Sequence, residues 1–132
     1  MKIGEFVTLL HTTKDTVRHY EELNLLTPAW SNNYREYGEK EISDFGVIIE
    51  LKEYGLSLKD IQILFDLKRA FHCGDQNFIT QVYDKLTAHV NDLRQQEEEL
   101  HSRRIKLENE LTAIRGLIPY SLNSGPDNEG KS

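Results

Sequence analysis

The sequence predicts a mainly α chain in two parts, a head of short helices with a small β-hairpin and one long C-terminal coiled-coil helix. Short apolar repeats at helical spacing, separated by capping and turn residues, fill residues 1–73. A turn-forming pair, Asn32-Asn33, lies among aromatic residues and predicts the hairpin. A heptad pattern then runs from Leu86 to Ile118, and it predicts a dimerisation coiled-coil helix over residues 74–118. The segment 119–132 is rich in Ser, Asn, Gly and charge, and we expect it to be a disordered tail.

The composition indicates a soluble protein that is long enough for one small domain and an extension. The chain has 132 residues, of which 38% are hydrophobic and 29% are charged. Apolar runs are shorter than a membrane span, and the N-terminal residues lack the apolar segment of a signal peptide. The single cysteine, Cys73, cannot form an internal disulfide. These features predict a cytoplasmic protein with no membrane partner.

The net charge of −6 argues against general affinity for nucleic acid. Residues 1–70 contain nine Lys and Arg against twelve Asp and Glu, and residues 71–132 contain seven against ten. DNA binding would therefore depend on local clusters of cations and should be strongly sensitive to salt.

The first 24 residues predict two helices joined by a tight turn. An apolar repeat from Ile3 to Leu10 predicts a helix over residues 2–10. Thr13 can cap a second helix, and Asn24 is a plausible left-handed stop. Side chains that can donate hydrogen bonds lie on this second helix, namely Lys14, Thr16, Arg18 and His19. The arrangement is typical of a helix-turn-helix whose second helix enters the major groove, although an ordinary surface helix fits this stretch equally well.

The residues after Pro28 predict a short hairpin, which we interpret as a wing beside the helix-turn-helix. Arg35 lies between Tyr34 and Tyr37, and its guanidinium can bind a phosphate. We expect one of the two tyrosines to cover the core instead.

Two further helices follow the hairpin. Gly38 and an acidic first turn start the third helix, and Gly55 ends it. Ser57 can cap the fourth helix, which continues to about Phe71. Lys59 lies in its first turn, where free N–H groups and a positive side chain suit a phosphate, although a solvated lysine is equally consistent.

The heptad pattern predicts a helix of about 55 Å over residues 78–115, at about 1.5 Å per residue. The expected dimer seam comprises Leu86, Val90, Leu93, Glu97, Leu100, Arg104, Leu107, Leu111 and Ile114. So narrow a stripe needs a partner, and a homodimer is the simplest one. In an antiparallel pair centred near residue 100, Glu97 of one chain would lie near Arg104 of the other, whereas parallel chains would bring like charges together. We therefore expect an antiparallel coil.

The order of these elements and motifs resembles the MerR family of bacterial transcription regulators, from Ile3 to the end of the coil. The most specific motif is the run TVRHYE at residues 16–21. The wing motif YREY at residues 34–37 and the segment GLSLKDI at residues 55–61 then follow at suitable spacing. Asn33 replaces the usual glycine before the Tyr-Arg pair, and His19 replaces the usual aromatic residue.

The resemblance implies a winged helix-turn-helix and a homodimer that binds a near-palindromic promoter element in double-stranded DNA. It implies bending and untwisting of that element to control transcription, with RNA polymerase at the same promoter. The residues expected to contact DNA are Thr13, Lys14, Thr16, Arg18, His19 and Tyr20 from the recognition helix, Tyr34, Arg35 and Tyr37 from the wing, and Ser57 and Lys59 from the fourth helix.

Cys73 is the one candidate sensor residue in the sequence. In metal-sensing members of the resembled family a cysteine near this place is a ligand. Here one thiol and the adjacent His72 are too few ligands for a tight zinc site, so we predict no metal and no cofactor. A structural cysteine, a redox or electrophile sensor and a metal ligand all stay open, and the effector is unassigned.

The main alternative function is a coiled-coil adaptor whose small helical head binds another protein. That hypothesis explains the heptads but leaves Arg18, Arg35 and Lys59 unexplained as a set. We do not expect an enzyme, because the sequence has no phosphate loop, no nucleophile with a base and no paired carboxylates at a plausible cleft.

Overall fold

The computed structural model describes residues 1–71 and 74–119. Cys73 and the tail from residue 120 onward lie outside the described residues. The elements, in chain order, are α1 Ile3–Leu10, α2 Lys14–Glu22, β1 Ala29–Ser31, β2 Tyr34–Glu36, α3 Glu39–Glu53, α4 Leu58–Ala70 and α5 Gln76–Arg115. This order matches the predicted mainly α fold, with one small antiparallel sheet. Within the described ranges, no helix is long and apolar enough to cross a membrane.

The chain divides into two compact units inside α5. The first unit spans Met1–Lys85, and the second begins at Leu86. The first turns of α5 therefore belong to the head, where Lys85 forms an ion pair of 2.9 Å with Asp60 of α4. The boundary between residues 73 and 74, which the sequence predicts between the DNA-binding head and the dimerisation helix, stays a prediction.

Local capping interactions explain where the first helices begin and end. Thr13 Oγ1 accepts a hydrogen bond of 3.1 Å from the Thr16 amide and so caps α2. Asn24 adopts the left-handed region with φ of 61°, which turns the chain after α2. Leu23 is the C-cap of α2, directly before the turn at Asn24.

The later turns also follow from residue type. Asn32 and Asn33 have φ of 51° and 70°, as a two-residue hairpin turn with both central residues left-handed requires. Gly55 has φ of 89° after α3. Ser57 Oγ accepts a hydrogen bond of 3.1 Å from the Asp60 amide and caps α4.

The core of the head is small and rich in aromatic side chains. Phe6 stacks on Tyr37 with ring centroids 4.6 Å apart and meets Phe45 edge-on at 6.2 Å. The remaining buried apolar residues are Val17, Tyr20, Leu25, Leu26, Ile48, Leu56, Ile61, Leu64 and Phe65. The Gln62 side chain also donates a hydrogen bond of 2.8 Å to the Leu23 carbonyl. Through these contacts α4 holds the end of α2 and orients its exposed face.

Candidate nucleic-acid interface

The exposed face of α2 carries most of the predicted contact residues. Lys14, Arg18 and His19 are exposed, and Thr16 is half-buried. The Thr13 hydroxyl donates to Thr16 Oγ1 at 2.9 Å while accepting from the Thr16 amide. Thr13 is therefore engaged as a cap, and the Thr16 hydroxyl keeps its own proton for an outside acceptor.

Tyr20 is a correction to the predicted interface, because the structure buries it. It is 2% exposed, and its ring lies 5.8 Å from the Phe45 ring. Its hydroxyl accepts a hydrogen bond of 3.3 Å from Lys52 Nζ of α3. Tyr20 falls on the same apolar face of α2 as Val17, so it packs against α3 and has almost no exposed surface for a contact with DNA.

Tyr37 is also buried, with 1% exposure. Its ring stacks on Phe6, and its hydroxyl donates a hydrogen bond to Glu21 Oε2 of α2. Burial raises the pKa of the Tyr37 phenol far above its ordinary value, and the neighbouring Glu21 carboxylate raises it further. The expectation that one wing tyrosine covers the core is confirmed for Tyr37, and its predicted DNA contact is withdrawn.

The guanidinium of Arg35 is held on the wing by two contacts. Arg35 Nε lies 2.8 Å from Glu21 Oε1, and Arg35 Cζ lies 4.8 Å from the centroid of the Trp30 ring, its cross-strand partner. The Arg35 side chain is still 47% exposed. Across residues 1–71 and 74–119, its two terminal nitrogens donate no hydrogen bond. They therefore remain available to an anion.

An open groove of about 280 Å³ separates the wing from α2. Three cationic residues line it, namely Lys2, Arg18 and Arg35. The aromatic rings of Trp30 and Tyr34 also line it. Lys2 Nζ lies 4.4 Å from the centroid of the half-buried Tyr34 ring. Three cations in one groove suit a phosphate of a polyanion.

Sequence reasoning missed Lys2 as a groove residue. Lys2 directly precedes α1 and belongs to none of the motifs that predicted DNA contacts. Only the packing of α1 against the wing shows that Lys2 lines the groove. The backbone makes the same connection, because the Met1 carbonyl accepts a hydrogen bond of 2.7 Å from the Tyr37 amide.

The start of α4 offers a second anion-binding surface. Ser57 and Lys59 are both exposed, and Lys59 lies in the first turn of the helix, where backbone amides and a positive side chain suit an anion. Ser57 Oγ accepts from the Asp60 amide, which leaves its hydroxyl proton available to an acceptor. Both side chains lie on the surface at the start of α4, and their contact with phosphate stays a prediction.

The predicted dimer seam lies open along α5 in the single chain. The seam residues Val90, Leu93, Leu100, Leu107, Leu111 and Ile114 are exposed, and Leu86 is half-buried. Such a row of exposed large apolar side chains needs a partner surface. Glu97 is exposed, whereas Arg104 already forms an ion pair of 3.0 Å with Glu108 on the same helix.

The described residues contain no group of three or more His, Cys, Asp or Glu side chains that could hold a metal ion. The predicted sensor residue Cys73 lies outside those residues, so its role stays open.

Comparison with known proteins identifies the family. Residues 1–68 match the family model described as "MerR HTH family regulatory protein". The chain is 31% identical over 109 residues to the "HTH-type transcriptional regulator ZntR homolog" of Haemophilus influenzae, covering 81% of this chain and 78% of that one. It is 42% identical over 62 residues to the "HTH-type transcriptional regulator CueR" of Bacillus subtilis, which covers 46% of this chain and 43% of that one.

A solved structure agrees over nearly the whole chain. The regulator PbrR691 from Ralstonia metallidurans CH34, in complex with lead(II), superimposes with a TM-score of 0.71 at 26% identity, covering 98% of this chain and 93% of that one. The agreement includes the long C-terminal helix as well as the head. The chain therefore belongs to the MerR family and is a DNA-binding transcription regulator that acts as a homodimer.

Proposed function

We propose that the homodimer reads a pseudo-palindromic promoter element with two copies of α2 and of the wing. One observation carries this proposal. Arg18 of α2, Arg35 of the wing and Lys2 line the same groove. On a chain with a net charge of −6, such a local cluster is the feature that DNA binding requires. Family membership favours a regulator over the coiled-coil adaptor, which has no use for this cluster.

The exposed side chains of α2 are the proposed readers of sequence. Lys14, Thr16, Arg18 and His19 point away from the core, and arginine is well suited to a bidentate contact with guanine in the major groove. Thr13 supports this surface as the cap of α2.

The remaining cations are the proposed phosphate contacts. Lys2, Tyr34 and Arg35 would bind the backbone beside the wing, and Ser57 and Lys59 would bind it at the start of α4. Phosphate contacts fix the position of a protein on the duplex, while base contacts select the site. Tyr20 and Tyr37 act indirectly, by packing α2 and the wing on the core.

We propose that two copies of α5 pair in antiparallel orientation along the exposed seam. The pairing would cover the apolar side chains from Leu86 to Ile114 and place Glu97 near Arg104 of the partner. Two heads at a distance set by the paired helices would then contact two half-sites of one element.

The proposed action on the promoter is distortion of the element. Two heads that each grip the backbone at the wing and at α4 can bend and untwist the duplex between them, at an energy that depends on its sequence. RNA polymerase would then meet promoter elements in a changed register. Such a regulator works in the bacterial cytoplasm, where the promoter DNA lies.

The effector remains unassigned. The solved relative PbrR691 is in complex with lead(II), whereas residues 1–71 and 74–119 of this chain contain no group of three or more His, Cys, Asp or Glu side chains that could hold a metal ion. Three roles of Cys73 stay open, namely a structural cysteine, a redox or electrophile sensor and a metal ligand.

The test is an Arg18→Ala variant in a gel-shift titration on the DNA upstream of its own gene. We expect a loss of selectivity, because one good bidentate base contact contributes about 1–3 kcal/mol of discrimination. The ratio of affinities for the specific and a scrambled duplex should fall about tenfold or more, per that estimate. Lys106→Gln is the control, since Lys106 lies on an outward position of α5, away from the seam. Intact selectivity in Arg18→Ala would place the reading surface elsewhere.

A further inference from the structure

Glu21 is an acidic residue that lines the cationic groove. It lies on α2, and its side chain is only 10% exposed. Its two carboxylate oxygens have different partners on the wing. Oε1 faces Arg35 Nε at 2.8 Å, and Oε2 accepts the hydrogen bond from the Tyr37 hydroxyl. One side chain of the recognition helix therefore holds two residues of the wing.

A negative charge in this place works against DNA binding in purely electrostatic terms. Glu21 lines the same groove as Arg18 and Arg35, where a phosphate of the duplex would have to approach. An acidic side chain here needs another reason, and its two partners supply one. The Tyr37 phenol is buried and stacked on Phe6, so it fixes the carboxylate against the core.

The Arg35 guanidinium is consequently confined from two directions. The Trp30 ring lies against one face with Arg35 Cζ 4.8 Å from its centroid, and Glu21 engages Nε. A free arginine would lose much side-chain freedom on binding a phosphate. Here that freedom is lost already in the folded protein, and the terminal nitrogens are left for the ligand.

We propose that Glu21 is a positioning residue that fixes Arg35 and the wing relative to α2 before DNA binds. Recognition helix and wing then meet the duplex in a single register, which makes Glu21 a determinant of selectivity although it touches no DNA. The inference rests on the proposed function of Arg35 as a phosphate contact.

Glu21→Gln separates positioning from simple electrostatics, because the two effects have opposite signs. Removing a negative charge from a DNA-binding surface should tighten binding if charge alone matters. Loss of the ion pair should weaken specific binding if Glu21 positions Arg35. Glu22→Gln is the matched control, since Glu22 makes the same charge change on the same helix. Its side chain is 78% exposed, and Glu22 Oε1 lies 3.8 Å from His19 Nδ1.

The experiment is a fluorescence anisotropy titration of the full-length dimer on its own upstream duplex and on a scrambled duplex. We expect Glu21→Gln to weaken specific binding on the order of tenfold, as residues that share an ion pair are typically coupled to this extent. Glu22→Gln should leave binding unchanged or slightly tighter. In an Arg35→Ala background, Glu21→Gln should cause no further loss, because the residue it positions is gone.

The double-mutant cycle distinguishes positioning from loss of folding. A variant that weakens binding by destabilising the head would do so equally with and without Arg35, so equal losses in both backgrounds would overturn the inference. Tighter binding by Glu21→Gln, matching Glu22→Gln, would overturn it too and leave the interface intact. Full affinity in Arg35→Ala alone would instead refute the proposed wing contact itself.

Discussion

Lys59 provides a quantitative test of the proposed phosphate contact at the start of α4. The side chain is exposed in the first turn of the helix, and the neighbouring Asp60 forms an ion pair with Lys85. Lys59→Gln removes the charge and keeps most of the side-chain length. The core is not disturbed, so the effect of the substitution falls on DNA binding.

The expected magnitude follows from the release of counterions. Each neutralised phosphate contributes about 0.9 to the slope of log K against log salt concentration, and the dimer carries Lys59 twice, so the slope should become shallower by about 1.8. Extrapolated from about 1 M salt, that difference weakens binding about 60-fold at about 0.1 M salt. The ratio of specific to scrambled affinity should stay constant, because every sequence presents the same phosphates.

The assay is fluorescence anisotropy with both duplexes over a series from about 0.05 to about 0.3 M salt, the range in which this term is large. Lys106→Gln is the control for the change of net charge, because Lys106 is exposed on the outward face of α5. An unchanged slope in Lys59→Gln would refute the phosphate contact. A loss confined to the specific duplex would show that Lys59 reads bases instead.

Two further predictions concern the hydrogen bond of Tyr37 and the orientation of α5. Tyr37→Phe keeps the stack on Phe6 but leaves the largely buried Glu21 carboxylate without one partner, so urea titration should give a free energy of unfolding lower by about 1–2 kcal/mol. Because the raised pKa of Tyr37 favours the neutral phenol in the folded state, its contribution is full below about pH 10 and is lost as pH rises further, so wild-type stability should fall more steeply there than that of Tyr37→Phe. For α5, charge reversal at Glu97 alone or at Arg104 alone should weaken the dimer, and the double swap should restore it, as measured by analytical ultracentrifugation. Failure of the double swap would argue for parallel chains.

Local chemistry made much of the fold predictable. Thr13 and Ser57 cap their helices as expected, and Asn24 and Gly55 adopt left-handed conformations where the chain must turn. The Asn32-Asn33 turn has the geometry that pairs two short strands. These features depend on a few neighbouring residues, and therefore a single sequence is sufficient to place them.

The candidate site was only partly predictable. Arg18, Arg35 and Lys59 lie on the surface as their motifs implied, whereas Tyr20 is taken into the core by its place on the apolar face of α2. A tyrosine fits either environment, because its ring can pack while its hydroxyl meets a neighbour such as Lys52.

The sequence by itself determined the order of elements, their caps and the apolar seam of α5, since each of these is a local or periodic property of the chain. Only the tertiary structure decided which tyrosines are buried, that Lys2 lines the groove, and that Glu21 holds Arg35 and Tyr37. These contacts join residues of α1, α2 and the wing that are 14 or more positions apart in the sequence. Helical and strand periodicity predicts contacts between near neighbours in the chain and does not predict these. They depend on how the helices pack around Phe6, and packing is a property of the whole head.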